Sequence, residues 1–398
     1  MRFLTTLLTA LTIVSASAQK VQIFEDTHID AASKHPNMEA DNKGEYHAAA
    51  GRLVFKKVTL PTFKNSTKAT INLTLASIGD RWDKSGSCFV IPANAENDLW
   101  KVINGESQFP QSVEAVGTQM KGHALLENYK PAVELLRFMT PFGVGFYSDN
   151  HLNRQPVYID HWAENVQWSQ DISQLISELQ GEVIVGVWVD SWDAEGYSLD
   201  MDITFEQSQI KGDKMKKTEV IPLFNTVYYI GENGSPTMFA DQEKTTVEFS
   251  IPKEAKNAKL YYITTGHGGH SGGDEFTPVQ NIVQINGETV IDFTPWRTDC
   301  ASFRRFNPGS GVWLIKRKDA PYIGRRGEYE TKDIEESLAS SDLSRSNWCP
   351  GSCIVPESVS IDLTTGVNTF SVMMPTAQKA DGNKYNHWLV SAYIVYQK

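Results

Sequence analysis

Two histidines and two carboxylates stand close together in Gly266-His267-Gly268-Gly269-His270-Ser271-Gly272-Gly273-Asp274-Glu275-Phe276. The glycines there argue against a helix, because each one loses backbone entropy when it is fixed. Leu260 to Thr265 before the stretch and Val279 to Ile285 after it both read as strands. The polar groups therefore sit on a loop held between two strands, a common place for binding and catalytic residues. An ordinary solvated loop would look similar. A His-x-x-His pair beside an acid is also a metal-type pattern, but one-face ligation of that kind needs a helix, so a metal is the weaker reading of these residues.

Two further acids stand in settings that could tune them. Asp83 lies in Gly79-Asp80-Arg81-Trp82-Asp83-Lys84, just after a strand. Asp190 lies in Trp188-Val189-Asp190-Ser191-Trp192, on the strand face shared with both tryptophans. A partly apolar surrounding disfavours the charged carboxylate and lifts its pKa towards the range useful for acid–base work. Paired carboxylates divide acid and base roles in many sugar-acting enzymes. Each acid taken singly is most simply a solvated strand end.

The elements that must carry these residues are mostly strands. Arg52 to Phe55, Thr70 to Leu75, Leu135 to Phe142 and Glu182 to Trp192 read as strands in the first half. Tyr197 to Phe205 alternates most cleanly. One helix is expected from Asp171 as N-cap, through Ile172, Leu175, Ile176 and Leu179, to Gly181 as the C-terminal glycine. Residues 20–50 carry no pattern, and about 93–130 reads as an insertion. A lysine-rich stretch, 207–217, reads as a linker between domains at 19–206 and 218–398. The second half adds strands at Thr246 to Ile251, Gly311 to Lys318, Val359 to Leu363, Thr369 to Met374 and Trp388 to Tyr396. Its hairpin turns at Asn286-Gly287, and it carries a charged insertion at about 319–347. The expectation is an all-β protein of two antiparallel sandwiches.

Residues 1–18 read as a signal peptide, with Arg2, an apolar core from Leu7 to Val14, and Ala16-Ser17-Ala18. The apolar run is too short to span a bilayer, so an exported, soluble product is expected, periplasmic or secreted. A formal charge of −11 argues against nucleic acid or an anionic membrane as partner. Ten tryptophans and fourteen tyrosines suit a sugar-stacking surface and a large β core equally. Four cysteines (Cys88, Cys300, Cys349, Cys353) in an exported chain point to one or two disulfides, with three full pairings open.

Several segments in order resemble the peptide-N-glycosidase F family, the bacterial N-glycanases. They are Trp82-Asp83, Arg137 to Phe142, Asp171 to Leu179, Asp190-Ser191-Trp192, Tyr197 to Ile203, Thr264 to His270, Glu275 to Asn286, and Arg345 to Gly351. The resemblance covers most of the chain from Gly51 onward, less the two insertions. It implies two jelly-roll sandwiches side by side with the active site at their interface. The implied reaction is hydrolysis of the amide between asparagine and the first N-acetylglucosamine, on a glycoprotein or glycopeptide, by a monomer without a cofactor. Asp83 falls on the principal catalytic aspartate, and Glu275 on the glutamate that holds a water and the sugar. Asp190 falls where the best-known member has glutamate. Trp82, Trp192, Arg345 and Trp348 fall on or beside cleft residues, as does His270, with His267 one register step away. The resemblance also implies a Cys300–Cys349 bridge, leaving Cys88 and Cys353 as a second bridge or as buried thiols.

The sequence departs from the family pattern in specific places. Asp190 is one methylene short of glutamate, and Lys84 replaces an arginine, losing its planar fork. Gly273 and Thr277 stand where the family has cysteines. Two other classes remain in view: a glycan-binding sandwich protein, which would need the tryptophans but not the acids, and a copper monooxygenase on paired jelly rolls, which would need clustered histidines and a methionine.

Overall fold

The computed structural model describes residues 18–32, 39–111, 113, 120–126, 128–149, 159–230, 239, 243–381 and 383–398. The expected signal peptide, up to residue 17, and parts of the 93–130 insertion lie outside the described residues. No helix among the described residues is long and apolar enough to cross a membrane.

The first half is a sandwich of two sheets. One runs Gln19–Ile29, Tyr197–Gln207, Thr67–Ser77, Val166–Asp171. The other runs Cys353–Ile354, Val133–Met139, Ser85–Val90, Gly181–Val189, Leu53–Leu60, Glu45–Ala48. Alternation explains the first sheet: in Thr67–Ser77 every second residue is buried, and Ile71, Leu73 and Leu75 meet Val187 and Leu135 in one core. The middle strands of the other sheet, Ser85–Val90 and Val133–Met139, are buried along their whole length. One face meets the sandwich core. The other is covered by the helix Leu99–Ile103 and by Val227, Tyr228 and Leu389 of the second half.

The second half repeats the plan. Thr218–Asn225, His387–Gln397, Lys256–His267 and Glu357–Ser360 form one sheet. Thr245–Ile251, Gly366–Met373, Asn281–Ile285 and Glu288–Phe293 form the other, over a shared apolar core. The turn at Asn286-Gly287 has both φ positive (52° and 84°), as its dipeptide predicts. The two halves are joined by more than chain. Cys353–Ile354 pairs with Val133–Met139 of the first half. The buried Glu134–Arg137 ion pair (two contacts of 2.8 Å) sends the remaining guanidinium nitrogen to Thr265 Oγ1 at 3.1 Å and the Leu389 carbonyl at 2.9 Å.

Four expectations need correction. The helix expected at Asp171 is a 3₁₀ segment, Ser173–Glu178, after a strand that ends at Asp171. Ile172, Leu175, Ile176 and Leu179 are buried as the pattern required. Their i, i+3 pairs suit a three-residue turn, and Leu175 and Leu179 donate to Ile172 and Ile176. The strand expected to Trp192 ends at Val189, so Asp190 and Trp192 lie on the loop beyond it. Residues 20–50 contain two strands, Gln19–Ile29 and Glu45–Ala48. The charged insertion at 319–347 is mostly a long hairpin, Val312–Ile323 with Tyr329–Ala339.

Candidate active site

Strand register brings two of the acids to one end of the first sandwich. Val189 lies opposite Gly86, and the Asp190 amide donates to the Ser85 carbonyl at 2.9 Å. Asp190 therefore stands beside the loop that carries Asp83. That loop is fixed by Asp80, fully buried, which accepts from the Trp82 amide (2.9 Å) and the Ser191 hydroxyl (2.8 Å). Tyr197 and Thr140 hold the Trp82 carbonyl at 2.6 and 3.0 Å. Asp80 is a positioning residue that the sequence reading passed over in favour of its neighbour.

Glu275 comes from the glycine loop. Gly268 has φ 102°, and a Cβ there would meet the Tyr385 carbonyl oxygen at 2.1 Å. A Cβ on Gly269 would meet Glu275 Oε2 at 2.6 Å, and the Gly269 amide donates to that oxygen at 2.9 Å. The glycines thus permit a bend and a close approach to the carboxylate. Of the loop's two acids, Asp274 turns inward to Asn386 (2.7 Å) and the Trp388 indole (2.9 Å), leaving Glu275 to face the cavity.

Arg345 joins the halves chemically. Its Nε donates to Glu275 Oε1 at 3.0 Å and its Nη2 reaches Asp83 Oδ2 at 3.4 Å. Arg345 is 1% exposed, and its guanidinium lies between the rings of Phe276 and Trp348, each at 4.9 Å. Asp190 has separate partners: the Tyr229 hydroxyl donates to Oδ2, and Arg52 Nη1 lies 3.7 Å from Oδ1.

Nine of the residues singled out in the sequence line one cavity of about 890 Å³: Asp83, Asp190, Glu275, Trp82, Trp192, His267, His270, Arg345 and Trp348. Their surroundings differ. Trp82 and Trp192 are 50% and 65% exposed, with the Arg81 and Arg52 guanidinium groups over their rings at 5.6 and 5.0 Å, whereas Trp348 is buried, donates to the Gly266 carbonyl and stacks on His267. His270 is exposed. His267 is buried against His387 (ring centroids 4.9 Å apart), and burial holds its pKa well below the ordinary value, so it is neutral. Tyr229, His387, Tyr385 and Phe142 also line the cavity, and no local pattern in the sequence marked them.

Burial pushes the Asp83 carboxyl up to about 7, with Glu275 adding repulsion while Arg345 and Lys84 pull the other way. Burial lifts Asp190 to about 6 against the Tyr229 hydrogen bond, Lys84 and Arg52. Two carboxyl groups poised near neutrality in one cavity can exchange a proton with a bound amide or water. Among the described residues, the one grouping of metal-type donors is Asp41, Glu45 and His47, within 4.8 Å of one another and off the cavity lining.

Cys300 and Cys349 form a disulfide next to Trp348. Cys88 and Cys353 are free thiols, Cys88 fully buried.

Fold and cavity define a paired β-sandwich protein with a carboxylate site where the sandwiches meet. The peptide-N-glycosidase F N-terminal model matches residues 20–205 and the C-terminal model matches residues 235–395. The chain belongs to the peptide-N-glycosidase F family. The structure of PNGF-II in space group P21 is 32% identical with a TM-score of 0.79, over 96% of this chain and 66% of that one. The chain thus spans just under two thirds of that relative's length. Recombinant peptide:N-glycanase F is 13% identical (TM-score 0.59). PNGase F, described as a glycosylasparaginase from Flavobacterium meningosepticum, is 14% identical (TM-score 0.57). Each of these two matches covers 96% of both chains. No curated protein sequence matches the chain.

Proposed function

We propose that this protein hydrolyses the amide joining an asparagine side chain to the innermost N-acetylglucosamine of an N-linked glycan. The observation that carries the reading is the pair of carboxylates, Asp83 and Glu275, shared by the buried Arg345 in a cavity edged by two exposed tryptophans. The sugar stacks on Trp82 and Trp192. Water adds its oxygen to the amide carbonyl carbon, the carbon–nitrogen bond breaks, and aspartate and a glycosylamine leave. Asp83, balanced near pH 7, handles the proton at the scissile amide. Glu275, fixed by Arg345 and the Gly269 amide, orders the water and the sugar. Asp190, beside the Asp83 loop and raised to about 6, is a second carboxyl able to hold the proton. The buried disulfide and the N-terminal sequence support work outside the cytoplasm, as a monomer on exported or extracellular glycoproteins.

The test is release of glycan from a denatured glycoprotein, with and without a chelator, read by mass as conversion of asparagine to aspartate. Release should be chelator-insensitive and should fall on the order of 10²–10⁴-fold in Asp83→Asn. Binding of glycan without turnover by the parent protein would favour the glycan-binding reading, to which the exposed tryptophans are equally suited. Loss of release on chelation would favour metal-dependent chemistry.

A further inference from the structure

The hairpin Val312–Ile323 with Tyr329–Ala339 is hydrogen-bonded to no other strand among the described residues. A lone two-stranded hairpin is marginal in water, so a length of this kind calls for a reason. Its base is built in firmly. The Ser340 amide donates to the Gly311 carbonyl at 2.8 Å, the Ser341 amide donates to Ser310 Oγ at 3.1 Å, and Arg304 pairs with Asp342 at 2.6 Å. That base is also cavity wall, because Gly311, Val312 and Ser340 line it beside Arg345 and Glu275.

The second strand pairs regularly, with the one irregularity falling between Arg317 and Ala320 on the first. Ser337 and Tyr329, eight residues apart, therefore point to the same face, and so do their partners Leu314 and Ile323. That face carries Leu314 (64% exposed) near the cavity and Ile323 (66%) and Tyr329 (73%) at the tip. The two apolar ends are about 26 Å apart at ordinary strand rise, the span of about eight extended residues. Asp333, Glu335 and Lys316, exposed between them, match the mixed polarity of an unfolded chain.

We infer that this face of the hairpin is the docking surface for the polypeptide of the glycoprotein, held extended while its glycan occupies the cavity. The inference rests on the proposed function and names its substrate class: unfolded protein in preference to a short glycopeptide. An asparagine whose glycan lies in the cavity brings its backbone to the cavity wall, where Val312, two residues before Leu314 and on the same hairpin face, lines it. No other occupant is tied to the cavity in this way.

The experiment compares kcat/KM for one glycan carried on a denatured glycoprotein and on a glycopeptide of a few residues, using the full chain. In the triple variant Leu314→Ser, Ile323→Ser, Tyr329→Ser, the glycoprotein value should fall about tenfold, as for loss of a small apolar contact set. The glycopeptide value should stay within about twofold. A second variant replaces residues 315–336 by Asn-Gly between the paired Leu314 and Ser337, keeping the base intact, and should give the same split. Equal losses on both substrates, or no loss on either, would overturn the docking surface. So would a parent dimer that the variants convert to monomer, because a second copy would then occupy the face. A parent protein inactive on both substrates would instead count against the proposed function.

Discussion

The hydroxyl of Tyr229, from the second half of the chain, donates to Asp190 Oδ2, which stands on the first. Tyr229 is packed between the Trp188 and His387 rings (centroids at 5.6 and 6.3 Å). Burial keeps its hydroxyl protonated far above the ordinary tyrosine range, so it is a permanent donor. This bond is the foremost influence opposing the burial that lifts Asp190. In Tyr229→Phe the Asp190 pKa should therefore rise beyond about 6. The acid limb of the pH–kcat/KM profile should move to higher pH, with roughly a tenfold fall in kcat from loss of a hydrogen bond to a charged group. A pH titration of the rate reads this directly, and an unmoved acid limb would remove Asp190 from the titrating groups.

That relationship also marks how far the sequence could be read. Alternating strands such as Tyr197–Gln207 and the Asn286-Gly287 turn are local patterns, and both formed where expected. The acids of the cavity were legible through the in-order family resemblance, since each taken singly read as a solvated strand end. Tyr229, His387 and Asp80 were not, since their importance comes from long-range packing that brings residue 229 to 190 and residue 387 to 267. The 3₁₀ segment at Ser173–Glu178 was misread because i, i+3 and i, i+4 spacings share residues, and the choice between them was made by the strands on either side.

Asp83 links stability to pH. Its folded-state pKa of about 7 lies above the ordinary value of 3.8, so the folded chain holds a proton that the unfolded chain has released between those values. Stability should fall as pH rises through that window, with the full cost present above about 7. Asp83→Asn abolishes the ionisation. Thermal unfolding followed at pH 8 should show the variant more stable than the parent, and the difference should shrink towards pH 4. A constant difference across that range would mean that the carboxyl is not raised in the folded state.

Trp192 separates binding from chemistry. It is 65% exposed on the cavity rim, and its ring lies 5.0 Å from the Arg52 guanidinium carbon. Trp192→Ala removes stacking area without touching the Asp83–Arg345–Glu275 cluster. Chitobiose binding, measured by calorimetry, should weaken about tenfold, equivalent to about 1.4 kcal/mol. Turnover at saturating substrate should fall less than affinity does, through loss of the Trp192 hydrogen bond that lowers the Asp190 pKa. A fall in kcat at unchanged affinity would move Trp192 from the sugar platform to the reacting centre.

Arg345 is the residue on which both the site and local stability depend. It is buried between Phe276 and Trp348 and spans the two carboxylates at 3.0 and 3.4 Å. Arg345→Leu keeps most of the apolar packing but leaves Asp83 and Glu275 side by side without their shared cation. Removing one member of a buried charge cluster costs about 3–5 kcal/mol, and denaturant unfolding should show a loss of that order at pH 8. With the attraction gone and the repulsion from Glu275 kept, Asp83 should hold its proton to still higher pH than about 7. The stability deficit should therefore narrow as pH falls towards 5, where the lost cation no longer faces two charges. Arg345→Lys should recover part of the stability at pH 8, because the charge is kept. It should recover little of the activity, because a point charge cannot hold two carboxylates as a planar fork does. Equal recovery of both would show that charge alone matters and that the geometry of the guanidinium does not.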